Sequence, residues 1–351
     1  MKRTLLILTL AIVSACTKST VTLDQPEAIA IVPVTANMTK AAVNGTPEGQ
    51  DLLIWANYAT PGTNTLVGDV YFDRALFAKK GTVWTGKDQD YFWPKSGELT
   101  LSGCTSIPAV NGTIAYHYAD DTATTDINEA NTITVTGYKQ SLDPAHTVDF
   151  LWFNKTNATN LDRQPGNMAV EMKHALTWVT IQVQGFGGSI GWNVESIKLK
   201  NVKNQGNLTC ATSGAAWKNE TADPSSNEFV VYQAPKTGEN PYFVLSSDAK
   251  DIETIAAGTV LIPQTPVTME VMYHTTDNPT DATLRTKELD LKISETAADN
   301  IWQAGKHYVY TVTFNPYKIT FTVATDDTWA NTDKNVDDYE DSEITQLTNN
   351  N

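Results

Sequence analysis

Cysteine is nearly absent from this chain: three in 351 residues, one of them, Cys16, at the end of an apolar leader. That excludes a disulfide-stapled scaffold and a zinc centre built on thiolates. Histidine is scarce too, with five residues scattered at no metal-like spacing. Beyond the leader no apolar run is long enough to span a bilayer as a helix. No stretch of convincing length has the 3.6-residue period of an amphipathic helix. Basic residues are outnumbered, 25 Lys and Arg against 40 Asp and Glu, for a net charge of -15. That balance argues against nucleic acid and anionic membrane surfaces as partners.

The leader is the strongest local signal. Lys2 and Arg3 precede a short apolar run, which ends in Val13-Ser14-Ala15-Cys16. The run is too short to span a membrane and has the flanks of an export signal. Two small residues directly before a thiol have the shape of a lipobox, so Cys16 is the expected lipidation site. Acyl chains anchor at about 0.8 kcal/mol per buried methylene.

After the leader, period-two patterns dominate. Val179, Ile181 and Val183 alternate with Thr180, Gln182 and Gln184. Tyr308, Tyr310, Val312 and Phe314 alternate with Val309, Thr311 and Thr313. The same alternation runs through Leu99 and Leu101, Ile133 and Val135, Ile197 and Leu199, Leu289 to Ile293, and Ile319, Phe321 and Val323. One polar and one apolar face predict antiparallel sheets covering a core. With turn clusters such as Pro61-Gly62-Thr63-Asn64 between them, an all-β sandwich is the expected class. The polar stretch around Pro165-Gly166 predicts a division into domains over residues 50–165 and 166–329. Residues 1–16 are the signal, 17–49 an N-terminal segment and 330–351 an acidic polar tail.

Motifs that could carry chemistry are few. Gly187-Gly188-Ser189-Ile190-Gly191 fits the G-x-S-x-G pattern of a nucleophile elbow. The elbow needs a helix after it, and here a strand pattern follows, so a glycine-rich turn is the better reading. His174 stands at a strand entry with no partner constellation, which predicts a structural histidine. Cys104 and Cys210 fall in different expected domains. They read as two separate buried or loop thiols, with one disulfide as the alternative. No paired carboxylates or nucleophile set marks a hydrolase, so no catalytic residues, metal or cofactor are expected.

Several blocks, in order, resemble the fimbrillin family, the subunits of type V pili. Tyr91-Phe92-Trp93-Pro94 followed by residues 97–101 is similar to an aromatic strand block of that family. Asp149-Phe150-Leu151-Trp152, the segment 168–181 with His174 at its centre, residues 194–206 and Leu261-Ile262-Pro263-Gln264 follow. The most specific match is Trp302-Gln303-Ala304-Gly305-Lys306-His307-Tyr308-Val309-Tyr310, continuing into Ile319-Thr320-Phe321 and Trp329.

The resemblance implies two transthyretin-like β-sandwich domains in tandem and a non-enzymatic pilus subunit at the outer membrane and cell surface. The subunit would be exported as a lipoprotein and held through Cys16 until processed. A trypsin-like protease would then remove an N-terminal strand, and a neighbouring subunit would fill the groove by β-augmentation. Residues 27–36 suit the removable strand, with Ile29 and Ile31 on one face and Val32 and Val34 on the other. Pro33 is consistent with an edge position. Lys40-Ala41 is the expected cleavage site, with lysine where family members usually carry arginine. Ile319, Phe321 and Val323 are the candidate donor residues, with the last strand of their own domain as the alternative. Expected partners are other pilus subunits and a host surface protein or glycan. The competing reading is a surface glycan-binding lipoprotein that stays anchored and does not polymerise.

Overall fold

The structure is a computed structural model. It describes residues 27–34, 50–59, 69–81, 83–118, 131–143, 146–158, 168–222, 227–235, 242–252, 259–276 and 283–326. Cys16, Lys40, Ala41 and Trp329 lie outside these.

The fold is all-β. In the first half the strands are β1 (Ala30–Val34), β2 (Leu52–Ala59), β3 (Asp69–Lys80), β4 (Val83–Gly86), β5 (Glu98–Thr105), β6 (Thr113–His117), β7 (Thr132–Lys139) and β8 (Leu151–Ala158). Then follow β9 (Met168–Glu171), β10 (Lys173–His174), β11 (Thr177–Gly185), β12 (Asn193–Lys200), β13 (Gln205–Ala211), β14 (Gly214–Thr221) and β15 (Phe229–Gln233). The last are β16 (Phe243–Val244), β17 (Lys250–Asp251), β18 (Thr259–Leu261), β19 (Thr268–His274), β20 (Leu284–Asp290), β21 (His307–Asn315) and β22 (Lys318–Asp326).

The first sheet has the order β10-β8-β5-β2-β3-β4-β1-β9. Its two terminal strands, β9 and β10, are separated only by Met172. One interrupted strand thus pairs with β1 at its start and with β8 at its end, and the sheet closes on itself. Closure removes the free edges that an open sheet would present. The interior is filled by Ile29, Ile31, Leu52, Ile54, Phe77, Trp84, Leu99, Leu101, Phe153 and Met168, among others. Leu99 and Leu101 point inward as their alternation predicts.

The C-terminal half packs two sheets face to face, β17-β11-β21-β22 and β15-β12-β19-β20, with β18 and β16 added at β11 and β12. Val179, Ile181 and Val183 meet Tyr308, Tyr310, Val312, Phe314, Ile319, Phe321 and Val323 in this core. Each such side chain contributes about 1.5–3 kcal/mol by leaving water. Thr180, Gln182 and Gln184 take the other face, as period two requires.

A fourth sheet, β14-β13-β7-β6, joins the halves. β7 pairs with β13, so backbone pairing runs across residue 165, where the sequence places its division. Behind it lies a separate apolar cluster containing Trp55, Cys104, Ile133, Trp152, Leu176, Trp178 and Cys210. Both thiols are buried and free, and the fold brings them into this one cluster.

Candidate functional site

The segment from Glu27 to Val34 is held from three directions. Ile29 N donates to Tyr91 O at 2.6 Å, and Trp93 N donates to Glu27 O at 2.9 Å. Ala30 and Ile31 pair antiparallel with Thr85 and Trp84 of β4. Ile31, Val32, Pro33 and Val34 pair in parallel with Met168, Ala169, Val170 and Glu171 of β9. Ile29 and Ile31 are fully buried in the closed-sheet interior, while Val32 is half-buried on the other face.

This corrects one expectation. β1 is an interior strand, flanked by β4 and β9, not an edge. Pro33 is accommodated because the β4 ladder ends at Ile31, leaving Pro33 with a strand neighbour on the β9 side alone. The sequence also gave no hint that Tyr91-Phe92-Trp93 runs alongside the start of this segment. Period-two patterns show which face is buried but not which strand lies next door.

Without residues 27–34, β4 and β9 would face each other across a slot, with Tyr91 O and Trp93 N at its mouth. The slot would be lined by the interior side chains that now touch Ile29 and Ile31.

The candidate donor residues lie elsewhere. Ile319, Phe321 and Val323 are buried in the C-terminal core, and β22 pairs in cis with β21 over its whole length, from Asn315↔Lys318 to His307↔Asp326. β22 has a strand neighbour on one side only, at the end of its sheet. To act as a donor it would first have to leave this core.

The other singled-out residues are structural. Ser189 is fully buried; its Oγ accepts from Phe186 N at 2.8 Å and donates to Phe314 O at 2.6 Å. The Gly187–Ser189 segment is a 3-10 turn leading into a strand, with Gly187 and Gly191 at positive φ, 60° and 88°. His174 Nδ1 meets Asp149 Oδ2 at 2.5 Å where β10 joins β8. Next to it, Ala175 N donates to Phe150 O, Gly305 N to Leu176 O, and Trp217 Nε1 to Ala175 O at 2.7 Å. Residues 174–176 therefore tie the closed sheet, the bridging sheet and the Gly305 turn together. Six of the nine tryptophans are buried, which spends them on packing and not on an exposed aromatic platform.

A family profile described as fimbrillin-like matches residues 39–329. Among solved structures, the chain is similar to a fimbrial protein of Bacteroides vulgatus: 15% identity, TM-score 0.57, covering 85% of this chain and 98% of that one. Two proteins assigned to cell adhesion also resemble it. One, of Bacteroides uniformis, has 12% identity and TM-score 0.47, covering 86% and 98% of the two chains. The other, of Bacteroides ovatus, has 16% identity and TM-score 0.45, covering 88% and 99%. No curated protein matches in sequence. With a fimbrillin-like profile spanning most of its length and an all-β fold shared with a fimbrial protein, the chain belongs to the fimbrillin-like family.

Proposed function

We propose that this protein is a structural subunit of a surface fimbria with a role in cell adhesion. One observation carries the reading: a short N-terminal strand, β1, lies between β4 and β9 and closes the sheet there. In sequence, residues 35–49 lie between β1 and the next described strand, β2. Lys40-Ala41 lies within that connection. A cut there breaks the covalent link between β1 and the strands it packs against, so that β1 and the lipid carried on Cys16 can leave together.

The vacated slot has two unsatisfied strand edges and an apolar floor, which favours refilling by a strand from a second subunit. The donor is the C-terminal region, starting from β22 or from the chain that follows it. Family membership and the similarity to a fimbrial protein support the subunit role. Before processing, the chain sits at the outer membrane through Cys16. The test is electron microscopy of cells with gold-labelled antibody to this chain: label along surface filaments agrees with the proposal. Label confined to the cell envelope, with no filaments, contradicts it.

A further inference from the structure

β1 satisfies its neighbours on one face only. On the inner face Ile29 and Ile31 are fully buried among the interior side chains. On the outer face Ala30 pairs directly with Thr85 of β4, and Thr85 pairs on its other flank with Ala78 of β3. Burial alternates along β4: Trp84 and Gly86 are buried, while Val83 and Thr85 lie on the more open face. The Thr85 side chain therefore stands between two methyl groups, neither able to donate or accept. Its Oγ1 is nevertheless shut off from solvent, and no hydrogen-bond partner among the described residues reaches it.

Trp93 Nε1 is in the same condition, on the residue whose backbone N–H donates to Glu27 O. Pro33 brings no N–H to its pairing with β9. A buried hydroxyl without a partner is destabilising, and supplying a partner removes that penalty. Across an antiparallel ladder the partner comes from the residue directly opposite, where threonine hydroxyls can bond one another. While β1 is in place, the residue opposite Thr85 is an alanine.

We infer that Thr85 is the residue by which the slot tells β1 from its replacement. Its hydroxyl bonds a hydroxyl-bearing side chain at the position that Ala30 now fills. The inference rests on the filament reading and names the strand chemistry that the slot selects: large apolar residues at the Ile29 and Ile31 positions, with Thr or Ser between them.

β22 has that pattern twice, in Ile319-Thr320-Phe321 and in Phe321-Thr322-Val323. In its own sheet it already sets Thr320 opposite Thr313 and Thr322 opposite Thr311. The sequence from Ala330 to Asn351 has the pattern nowhere, since Val336, Tyr339, Ile344 and Leu347 are never two residues apart. Of the two donor segments, β22 and the chain that follows it, only β22 therefore offers Thr85 a partner.

The test uses the full chain cut after Lys40 and two synthetic peptides: residues 318–326, and the same peptide with Thr320→Val and Thr322→Val. Calorimetric titration gives their affinities. The unaltered peptide is expected to bind about fivefold or more tightly. That preference should disappear in Thr85→Val and survive in Thr85→Ser. The uncut Thr85→Val chain should unfold at the same urea concentration as the parent or a higher one, because valine replaces an unpartnered hydroxyl with a methyl. A lower midpoint means that the hydroxyl is already bonded in place, and overturns the inference. Equal affinity of the two peptides, or no binding of either, overturns it as well. The preference without filaments keeps the role of Thr85 and sinks the filament reading; filaments without the preference do the reverse.

Discussion

Ile31 and Met168 are register partners in a parallel pair, although they are the second residue of β1 and the first residue of β9. Ile31 also faces Trp84 across the antiparallel β4 ladder. One residue thus joins two strands that would otherwise be separate sheet ends. Ile31→Ala should lower stability by about 2–5 kcal/mol, because the closed interior cannot collapse around the deleted atoms. Ile29→Ala should behave similarly. Val32→Ala, on the half-buried face, should cost clearly less. Urea unfolding of the three variants measures the order.

Gly305 has φ +72°, and its N–H donates to Leu176 O at 2.8 Å. A Cβ here would meet His174 O at 3.6 Å, an ordinary contact, so the strain of a substitution is backbone strain alone. Gly305→Ala should cost about 1–2 kcal/mol for holding an L-residue in the left-handed region. A thermal melt that does not move would show that the turn can rearrange.

His307 stacks on Trp178 with ring centroids 3.7 Å apart and is fully enclosed. Burial lowers its pKa from 6.5 to about 3. The unfolded chain takes up a proton as pH falls through about 6.5, while the native state refuses it until about 3. Stability from this group is therefore complete above pH 6.5 and declines below it, by about 1.4 kcal/mol per unit. His307→Gln should flatten the fall between pH 6.5 and 5. Denaturant midpoints for both proteins across that range provide the check.

Cys104 and Cys210 share one buried cluster, and burial raises both thiols well above their ordinary pKa, with each other's charge adding to the effect at Cys210. Thiolate is the reactive form. At pH 8 a thiol reagent should leave the native protein unmodified and label both residues in urea. Rapid labelling of the native state would mean that the layer between β5 and β13 opens readily.

Strand faces were legible from sequence because burial on one side of a sheet forces period two. Tyr308, Tyr310, Val312 and Phe314 point into the core as their alternation demands. The turn role of Gly187 to Gly191 was legible as well, since a strand pattern follows it. Partnership between strands was not. Nothing in β7 or β13 announces that Val135 will lie beside Leu208, because alternation is the same whichever neighbour is present. The interior place of β1 is hidden for the same reason: Pro33 suggests an edge, and its pairing on the β9 side alone reconciles it with an interior strand.

Mass spectrometry of the N-terminus of assembled surface material tests the central claim most directly. The account predicts that filament subunits begin at Ala41 and lack β1. Assembled subunits that all retain lipidated Cys16 would contradict it.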